Sequence, residues 1–200
     1  ILKNMYGLHA VNVYYMESFA RDIIGGVAGK TFDVSIIRCQ ALYESYYMKL
    51  LQDENLEWKE LWQFSCNVLM SSGHPLASGD NLTYLDFTDY IEIVQGDIQN
   101  PSFTFEAQDA SSTGGNSKKT VSIYARGSQF ELLRQLPGAY MWTSPVPYGC
   151  LTSSALIQKT CSYPGNIHKD LLIYRSGSRF SKAEEEFLRC LSRLVSRLLD

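Results

Sequence analysis

The end of the chain, residues 170–199, is the segment whose structure the sequence constrains most strongly. It reads DLLIY, then a short turn, then a long run in which Ser181 stands three residues before Glu184. A Ser-x-x-Glu arrangement is a capping box, in which each of the two side chains accepts a backbone N–H at the start of a helix. Acidic residues fill the first turn and arginines the last, which suits the helix dipole. The pattern therefore predicts a strand, a turn and a helix over 182–199.

One face of this predicted helix is apolar along its whole length. Part of the stripe has the four-three-four spacing of a coiled-coil seam, and further leucines and a valine widen it on one side. A stripe of this width can cover the protein's own core, or it can leave one row for a partner. We predict contact with another protein, or self-association, through Phe187, Leu188, Leu191, Leu194, Val195 and Leu198.

The same segment, DLLIYRSGSRFSKAEEEFLRCLSRLVSRLL, resembles the end of a GAF-type domain. In that family the last strand leads through a short turn into a helix that packs on the sheet or dimerises. The resemblance implies a GAF- or PAS-like fold and a regulatory function, either sensing or docking. It is confined to this segment and brings neither a cyclic-nucleotide signature nor a chromophore-attachment cysteine, so it implies no ligand residues.

The first third of the chain predicts helices. Apolar residues recur at helical spacing from Leu8 to Ile24, and Gly25 follows. A second helix is expected over 33–51, although its first residues could instead form a buried strand. A third helix is expected to begin at the N-cap Asn55 and to end before Gly73. One face of that third helix would carry Trp58, Leu61, Trp62, Ser65, Cys66 and Leu69.

After Gly73 the pattern changes to short runs of strand type, separated by Gly, Pro, Asn and Asp. Residues 102–108 and 119–127 alternate apolar with polar side chains, as expected for a sheet with one covered face. Between them, 109–119 has almost no hydrophobic content and is predicted to be a mobile hairpin tip or a disordered loop. A short helix is expected over 128–136, and 151–160 is ambiguous. Further strands are expected over 90–96, 139–142 and 170–174.

These patterns together predict an α+β fold in a single domain over 1–200. A helical N-terminal layer, 1–73, is expected to pack against a mainly antiparallel sheet of about five strands. That sheet and the closing C-terminal helix would occupy 80–200.

The charge balance argues against nucleic acid as a partner. The formal net charge is −3, whereas proteins that bind phosphate backbones normally carry a basic balance or a basic face. A membrane span is not expected either, since the apolar stretch from Leu8 to Val27 contains His9, Asn12, Glu17, Arg21 and Asp22.

The cysteines show no metal-binding or disulfide pattern. They are widely spaced, odd in number, and include no CxxC or Cys/His pair at ligand spacing. We expect buried thiols of an intracellular protein, and the start at Ile1 rather than Met suggests an excised or processed segment. The five are Cys39, Cys66, Cys150, Cys161 and Cys190.

The segment GGVAGKT, Gly25 to Thr31, comes near to a phosphate-binding loop but lacks its pattern. A P-loop needs four residues between its first Gly and the Gly-Lys pair, and here only three separate Gly25 from Gly29. A helix also precedes the segment, where the motif requires a strand. We expect a flexible turn that does not bind nucleotide.

Residues for acid–base or metal chemistry are few. His9, His74 and His168 lie far apart in sequence, and Asp86 and Asp89 are typical of solvated turn positions. A fold can still assemble a catalytic triad from distant residues, so a hydrolytic enzyme remains an alternative. We predict no catalytic residues, no metal site and no cofactor.

The sequence therefore favours a non-catalytic regulatory or assembly module that acts through protein–protein contacts. A small-molecule sensor of GAF or PAS type is the first alternative, and a hydrolase with a fold-assembled site is the second.

Overall fold

The computed structural model describes residues 16–96, 119–151, 155–162 and 165–199. The predicted strand over 102–108 lies outside these residues, as does the predicted mobile tip over 109–119 except for Lys119. The chain divides into two compact units. The first unit consists of Ile1–Gln63 and Lys169–Asp200, and the second unit consists of Phe64–His168. The single domain over 1–200 therefore stays a prediction.

The described helices and strands are interspersed along the chain, and short 3-10 turns occur at Ala41–Tyr43 and Tyr84–Phe87. In chain order the elements are α1 (Ala20–Ala28), β1 (Val34–Gln40), α2 (Glu44–Asp53), β2 (Leu56–Ser65), β3 (Asn67–Ser71), β4 (Ile91–Gln95), β5 (Thr120–Ile123), α3 (Arg126–Gln135), β6 (Ala139–Thr143), α4 (Tyr148–Leu151), β7 (Leu156–Lys159), β8 (Ile167–Arg175) and α5 (Lys182–Leu199).

The first unit is built on a three-stranded sheet in the order β1-β8-β2. Alternate residues of its strands enter a hydrophobic core with one face of α1 and one face of α2, because successive side chains of a strand point to opposite faces. Removing this apolar surface from water is the main driving force that holds the helices on the sheet. The buried members of this core are Ile24, Val27, Ile37, Cys39, Tyr47, Leu51, Leu56, Leu171 and Ile173.

Arg175 fastens the end of α1 in the same unit. Its guanidinium donates to the backbone carbonyls of Val27 and Phe32 at 3.1 and 2.9 Å. The last carbonyls of a helix have no partner within the helix, so a cation at this end satisfies them and suits the dipole. Asp33 pairs with the same guanidinium at 2.9 Å.

The second unit contains a five-stranded sheet in the order β5-β4-β6-β3-β7. β3 pairs antiparallel with β6, where Leu69 lies opposite Met141, and antiparallel with β7. β4 pairs in parallel with β5 and with β6, where Glu92 lies opposite Tyr140. The sheet is therefore mixed, and α3 supplies the crossover between the strands β5 and β6.

Both faces of this sheet are covered. One face packs with Leu133 of α3 and with Leu151 of α4 in a core that includes Leu69, Ile93 and Met141. The other face is covered by the loop after β3 and by the 3-10 turn at Tyr84–Phe87. Its buried members are Val68, Met70, Leu82, Phe87 and Tyr140.

The prediction of a helical N-terminal layer over 1–73 holds only in part: the second predicted helix forms over its later residues as α2, and the third does not form. The alternative of a strand at Val34 is confirmed, since β1 occupies Val34–Gln40 and α2 follows. The third predicted helix is replaced by β2 and β3. Asn55, expected as its N-cap, has a φ of 55° and forms the left-handed turn that ends α2. Pairing with distant strands overrides the helix-favouring residues of 56–65.

The first predicted helix is tested only from residue 16, since 8–15 lie outside the described residues. Residues 16–19 are not helical, and α1 occupies Ala20–Ala28, continuing through Gly25 and Gly26. Position 26 lies inside the helix and requires glycine, because a Cβ there would overlap the ring of Phe32. This glycine therefore permits a close approach and does not end the helix.

Later segments agree better with the sequence. The strands predicted over 90–96, 139–142 and 170–174 are confirmed as β4, β6 and β8, and the short helix as α3. The strand predicted over 119–127 is confirmed in part, since β5 ends at Ile123 and α3 begins at Arg126. The mixed α and β character is confirmed, but the described strands form two sheets, and the larger one is not mainly antiparallel. The chain between β4 and β6 forms β5 and α3, and a long crossover of this kind allows β4 and β6 to pair in parallel.

Candidate functional site

The first unit carries an ionic cluster on its central strand. Arg38 of β1 donates two hydrogen bonds to the carboxylate of Asp170 in β8, at 2.7 and 2.8 Å. Trp62 of β2 donates its indole N–H to the same carboxylate at 2.8 Å. Asp170 therefore joins all three strands, and a two-point arginine–carboxylate pair of this kind has a defined geometry. The Arg38 side chain is 25% exposed and that of Asp170 is 11% exposed.

A second set of charges lies on the neighbouring residue of β8. The ammonium of Lys169 lies 2.9 Å from a carboxylate oxygen of Glu44 in α2 and 3.0 Å from one of Glu60 in β2. These hydrogen bonds, to Glu44 first and then to Glu60, raise the pKa of Lys169. The arrangement links α2 to the sheet and keeps this cation charged.

The second unit contains a cysteine–histidine pair, formed by Cys66 and His168. The thiol sulfur of Cys66 lies 3.2 Å from Nδ1 of His168, and both residues are buried. Asn166 donates its amide to the Cys66 carbonyl at 2.7 Å and accepts the Cys66 N–H at 3.2 Å. The Phe64 ring is stacked on the imidazole, with 6.0 Å between centroids. A thiol beside an oriented imidazole is the arrangement that activates cysteine nucleophiles.

The loop after β3 places His74 in an aromatic setting. Its Nδ1 accepts the N–H of Leu76 at 3.0 Å, so in the neutral ring the proton is on Nε2. Nε2 is buried and has no hydrogen-bond partner among the described residues. The ring centroid lies 4.5 Å from that of Tyr90 and 6.3 Å from that of Phe87. Burial lowers the pKa of His74, which favours the neutral imidazole.

A buried carboxylate lies on the same face of the sheet. Glu92 is 3% exposed and accepts the hydroxyl of Tyr140 at 3.1 Å. Burial, and then the charge of Glu92, raise the pKa of Tyr140, which stays protonated and able to donate. Phe87 and Trp142 flank that tyrosine, with ring centroids 4.7 and 6.3 Å away. We call His74, Phe87, Tyr90, Tyr140 and Trp142 the aromatic layer.

The residues predicted as an interface differ widely in exposure. Leu194 is 43% exposed, whereas Val195 is 9% exposed and therefore buried. Phe187, Leu188 and Leu191 are half-buried, and the side chain of Leu198 lies outside the described residues. The capping box is confirmed, since the Ser181 N–H donates to Glu184 and the Glu184 N–H donates to Ser181. The interface itself stays a prediction.

The segment from Gly25 to Thr31 lies at the carboxyl end of α1. The N–H groups of Gly29 and Thr31 donate to the carbonyls of Gly25 and Gly26, each at 2.8 Å. Lys30 adopts a φ of 65°. These amides close the helix end, and the dipole there disfavours anions, which is the reverse of a phosphate-binding loop.

The other candidate residues have structural surroundings. Asp86 accepts both the N–H and the hydroxyl of Thr83, which makes it part of a capping box and lowers its pKa. Asp89 is exposed, and His9 lies outside the described residues. Trp58 packs against the core of the first unit. Trp58 and Trp62 both lie in the strand β2, so they do not share the face of a helix as the sequence predicted. Within the described ranges no group of three potential ligands could hold a metal ion.

The remaining described thiols are Cys39, Cys161 and Cys190, and burial opposes ionisation of the first two. Burial, and then the charge of Glu44, raise the pKa of Cys39 to about 11. Burial, followed by Asp86, raises the pKa of Cys161 to about 11. Cys190 donates its thiol proton to a carboxylate oxygen of Glu186 at 3.3 Å. The side chain of Cys150 lies outside the described residues.

Sequence reasoning missed the two polar arrangements that the fold brings together. Cys66 and His168 are 102 residues apart, and Arg38 and Asp170 are 132 residues apart. No local spacing marks either pair, because each forms only when β8 enters its sheet. The polar residue pattern of β8, with Lys169 and Asp170 inside an apolar run, was the one available signal. Charged residues in a buried strand are normally paired.

Comparison with known proteins identifies the fold but not a sequence family. No protein-family model matches the sequence, and no curated protein matches it. Across the described residues, no helix has the length and apolar character needed to cross a membrane.

Several solved structures share the fold over nearly the whole chain. The effector-binding domain of QuiR, solved in complex with shikimate, is 16% identical with a TM-score of 0.65, covering 98% of this chain and 88% of that one. The C-terminal domain of a probable LysR family transcriptional regulator from Rhodococcus sp. RHA1 is 14% identical with a TM-score of 0.64, covering 96% of this chain and 89% of that one. HinK, a LysR family transcriptional regulator from Pseudomonas aeruginosa, is 14% identical with a TM-score of 0.66, covering 98% of this chain and 64% of that one.

These similarities overturn the resemblance to a GAF-type domain. The strand over 170–174 belongs to β8, the central strand of a separate three-stranded sheet, and is not the last strand of one five-stranded sheet. The features that suggested GAF were a capping box and an amphipathic helix, which many folds use to end a domain. The chain has the fold of LysR-type effector-binding domains.

Proposed function

We propose that this chain is a regulatory domain that senses a small molecule. The observation that carries the proposal is the similarity in fold, over 98% of the chain, to an effector-binding domain solved with shikimate. This supports the small-molecule sensor, which the sequence analysis placed second, over the protein–protein assembly module that it placed first. The sensor is of the effector-binding type and not of the GAF or PAS type.

The division of the chain into two units also supports a binding function. Each unit has its own sheet and its own buried core, and the chain passes between the units at 63–64 and again at 168–169. Domains joined by a few chain segments are common among proteins that respond to a ligand by a change in conformation. The regulatory role expected from the sequence is therefore retained in the proposal, although the fold differs from the one expected.

Retained ligand is the first test of the proposal. Native mass spectrometry of the purified protein, before any compound is added, shows whether a small molecule has been retained. The second test is thermal unfolding in the presence of shikimate and a panel of other small organic acids. A ligand at about 100 times its Kd stabilises the folded state by about 2.7 kcal/mol. In a chain of this size each kcal/mol raises Tm by about 2–4 °C.

The matched control for shikimate is an uncharged cyclic polyol of similar size, such as inositol. We expect at least one acid of the panel to raise Tm in a concentration-dependent way while inositol has no effect. A protein that carries no retained molecule, and whose Tm no member of the panel raises, would contradict the sensor. Turnover of a panel member to product would instead favour the hydrolytic alternative.

A further inference from the structure

We propose that Cys66 and His168 form a nucleophilic pair that captures a small electrophile bearing an activated carbon–carbon double bond. The Cys66 sulfur would bond to the β-carbon as the π bond breaks, and the proton held by His168 would pass to the α-carbon. Atoms and electrons balance without an oxidant or a further reactant. The inference goes beyond the proposed sensing function, because a covalent site in the second unit does not depend on a reversible effector.

The distance between the two groups allows proton transfer. The Cys66 sulfur and Nδ1 of His168 are 3.2 Å apart, so the thiol proton can pass to the imidazole within an existing contact. The product is a thiolate beside an imidazolium, and each charge stabilises the other. The thiolate is the nucleophilic form of cysteine, and a neighbouring histidine is one of the features that favours it.

The surroundings hold both groups in place. Asn166 binds the backbone N–H and the backbone carbonyl of Cys66 with its side chain, and its own carbonyl accepts the same N–H at 3.1 Å. Phe64 lies parallel to the imidazole within 19°. A nucleophile held on both sides of its backbone, against an oriented base, loses little freedom when it reacts.

The other described thiols make the contrast that a test can use. Cys39 and Cys161 have pKa values raised to about 11, so at neutral pH almost none of either is thiolate. Cys161 is nevertheless the more exposed of the three, since Cys66 is 5% and Cys39 0% exposed. Exposure alone therefore predicts that Cys161 reacts faster than Cys66, whereas the contact with His168 predicts that Cys66 reacts faster.

Burial limits the size of the electrophile. Cys66 and His168 are 5% and 2% exposed, so a reagent reaches the sulfur only if it is small enough to enter during local opening. The enone type of electrophile suits the pair because it needs both a nucleophile and a proton donor. N-ethylmaleimide is a suitable probe of this class.

The experiment measures labelling by N-ethylmaleimide at each cysteine of the folded protein, with peptide mass spectrometry to locate the adduct. We expect Cys66 to react faster than Cys161 by about tenfold or more, given the scale of general acid–base assistance. His168→Gln should slow labelling of Cys66 by at least about tenfold. Cys161→Ser is the matched control and should leave the Cys66 rate unchanged.

The pH profile of the unsubstituted protein provides a second measurement that does not depend on whether His168→Gln folds. An ordinary thiol with a pKa near 8.5 loses about tenfold in rate for each pH unit below that value. The pair should instead keep a nearly constant Cys66 rate between pH 8 and pH 7. Labelling of Cys66 only after unfolding would overturn the proposal, and so would a rate that falls tenfold over this range.

Discussion

Charged side chains of β8 in the first unit are held in pairs, whereas two titratable groups of the second unit, His74 and Glu92, are buried among aromatic rings. In the first unit the partly exposed Arg38 meets the buried Asp170, and Lys169 meets two partly exposed glutamates. In the second unit His74 is 3% exposed in the aromatic layer and Glu92 is hydrogen-bonded to Tyr140. The difference means that the two units should respond to different perturbations.

The physical reason is the cost of moving charge out of water. A pair that keeps some exposure loses little solvation and gains from charge-assisted hydrogen bonds, so removing one partner has a local effect. The buried imidazole of His74 has no such compensation, and burial therefore favours its neutral form. The first unit should be sensitive to the loss of a charge, and the second to the arrival of a proton.

The largest expected effect is in the first unit. Asp170→Asn should lower the free energy of unfolding by about 2 kcal/mol, because it removes the carboxylate charge that accepts two hydrogen bonds from the half-buried Arg38 guanidinium. Chemical denaturation at neutral pH measures the change. Arg38→Met in addition should recover part of the loss, since it removes the positive charge that the Asp170 carboxylate balances.

The matched control is Asp33→Asn, which makes the same substitution in an exposed pair. The Asp33 side chain is 71% exposed where it meets Arg175, and exposed pairs of this kind contribute about 0–1 kcal/mol. Equal losses for Asp170→Asn and Asp33→Asn would show that burial does not decide the contribution of these pairs.

An intermediate effect is expected at His74, together with a change in pH dependence. His74→Asn should cost about 1 kcal/mol at pH 7.5, because a smaller side chain leaves space beside Tyr90. Its amide oxygen can still accept the N–H of Leu76, but it does not titrate.

The sign of the pH effect follows from the lowered pKa of His74. The folded protein binds fewer protons here than the unfolded chain, whose histidine titrates near pH 6.5. The contribution to stability is therefore complete above pH 6.5 and is lost as the pH falls towards the folded pKa. Denaturation curves at pH 7.5 and 5.5 should show a smaller loss in His74→Asn than in the parent. Groups other than His74 titrate equally in both proteins. If the loss of stability between pH 7.5 and 5.5 is the same in His74→Asn as in the parent, His74 does not contribute to the pH dependence.

The smallest effect on stability is expected on α5. Leu194→Glu should change the free energy of unfolding by less than about 0.5 kcal/mol, because this side chain is already 43% exposed. If the predicted interface uses this residue, the same substitution should abolish self-association, measured by light scattering on a sizing column.

Ser196→Glu is the charge-matched control, since Ser196 is exposed on the same helix. It should preserve any self-association. A parent protein that is monomeric at high concentration would contradict self-association through α5, and capture of a different protein would then need its own test.

Agreement between sequence and structure is best where an element depends on its own residues. β5 was predicted from alternation, β4 from a strand-like run bounded by turn residues, and α3 from a short helical run before Pro137. Agreement failed over 55–71, where Glu, Lys and Leu favour a helix but β2 and β3 form. The β3 segment pairs with both β6 and β7, and these contacts lie far away in sequence. Propensity gives way where a strand has partners on both sides.

The sequence by itself determined the features that need only neighbouring residues. The capping box of Ser181 and Glu184 is an example, because its atoms are three residues apart. The tertiary structure alone decided the division into two sheets and the pairs Arg38–Asp170 and Cys66–His168. Those pairs join residues more than 100 positions apart, and only the placement of β8 beside β1 and β2 brings them within hydrogen-bond distance. Hydrophobic burial drives that placement, and it depends on the total surface covered and not on any local motif.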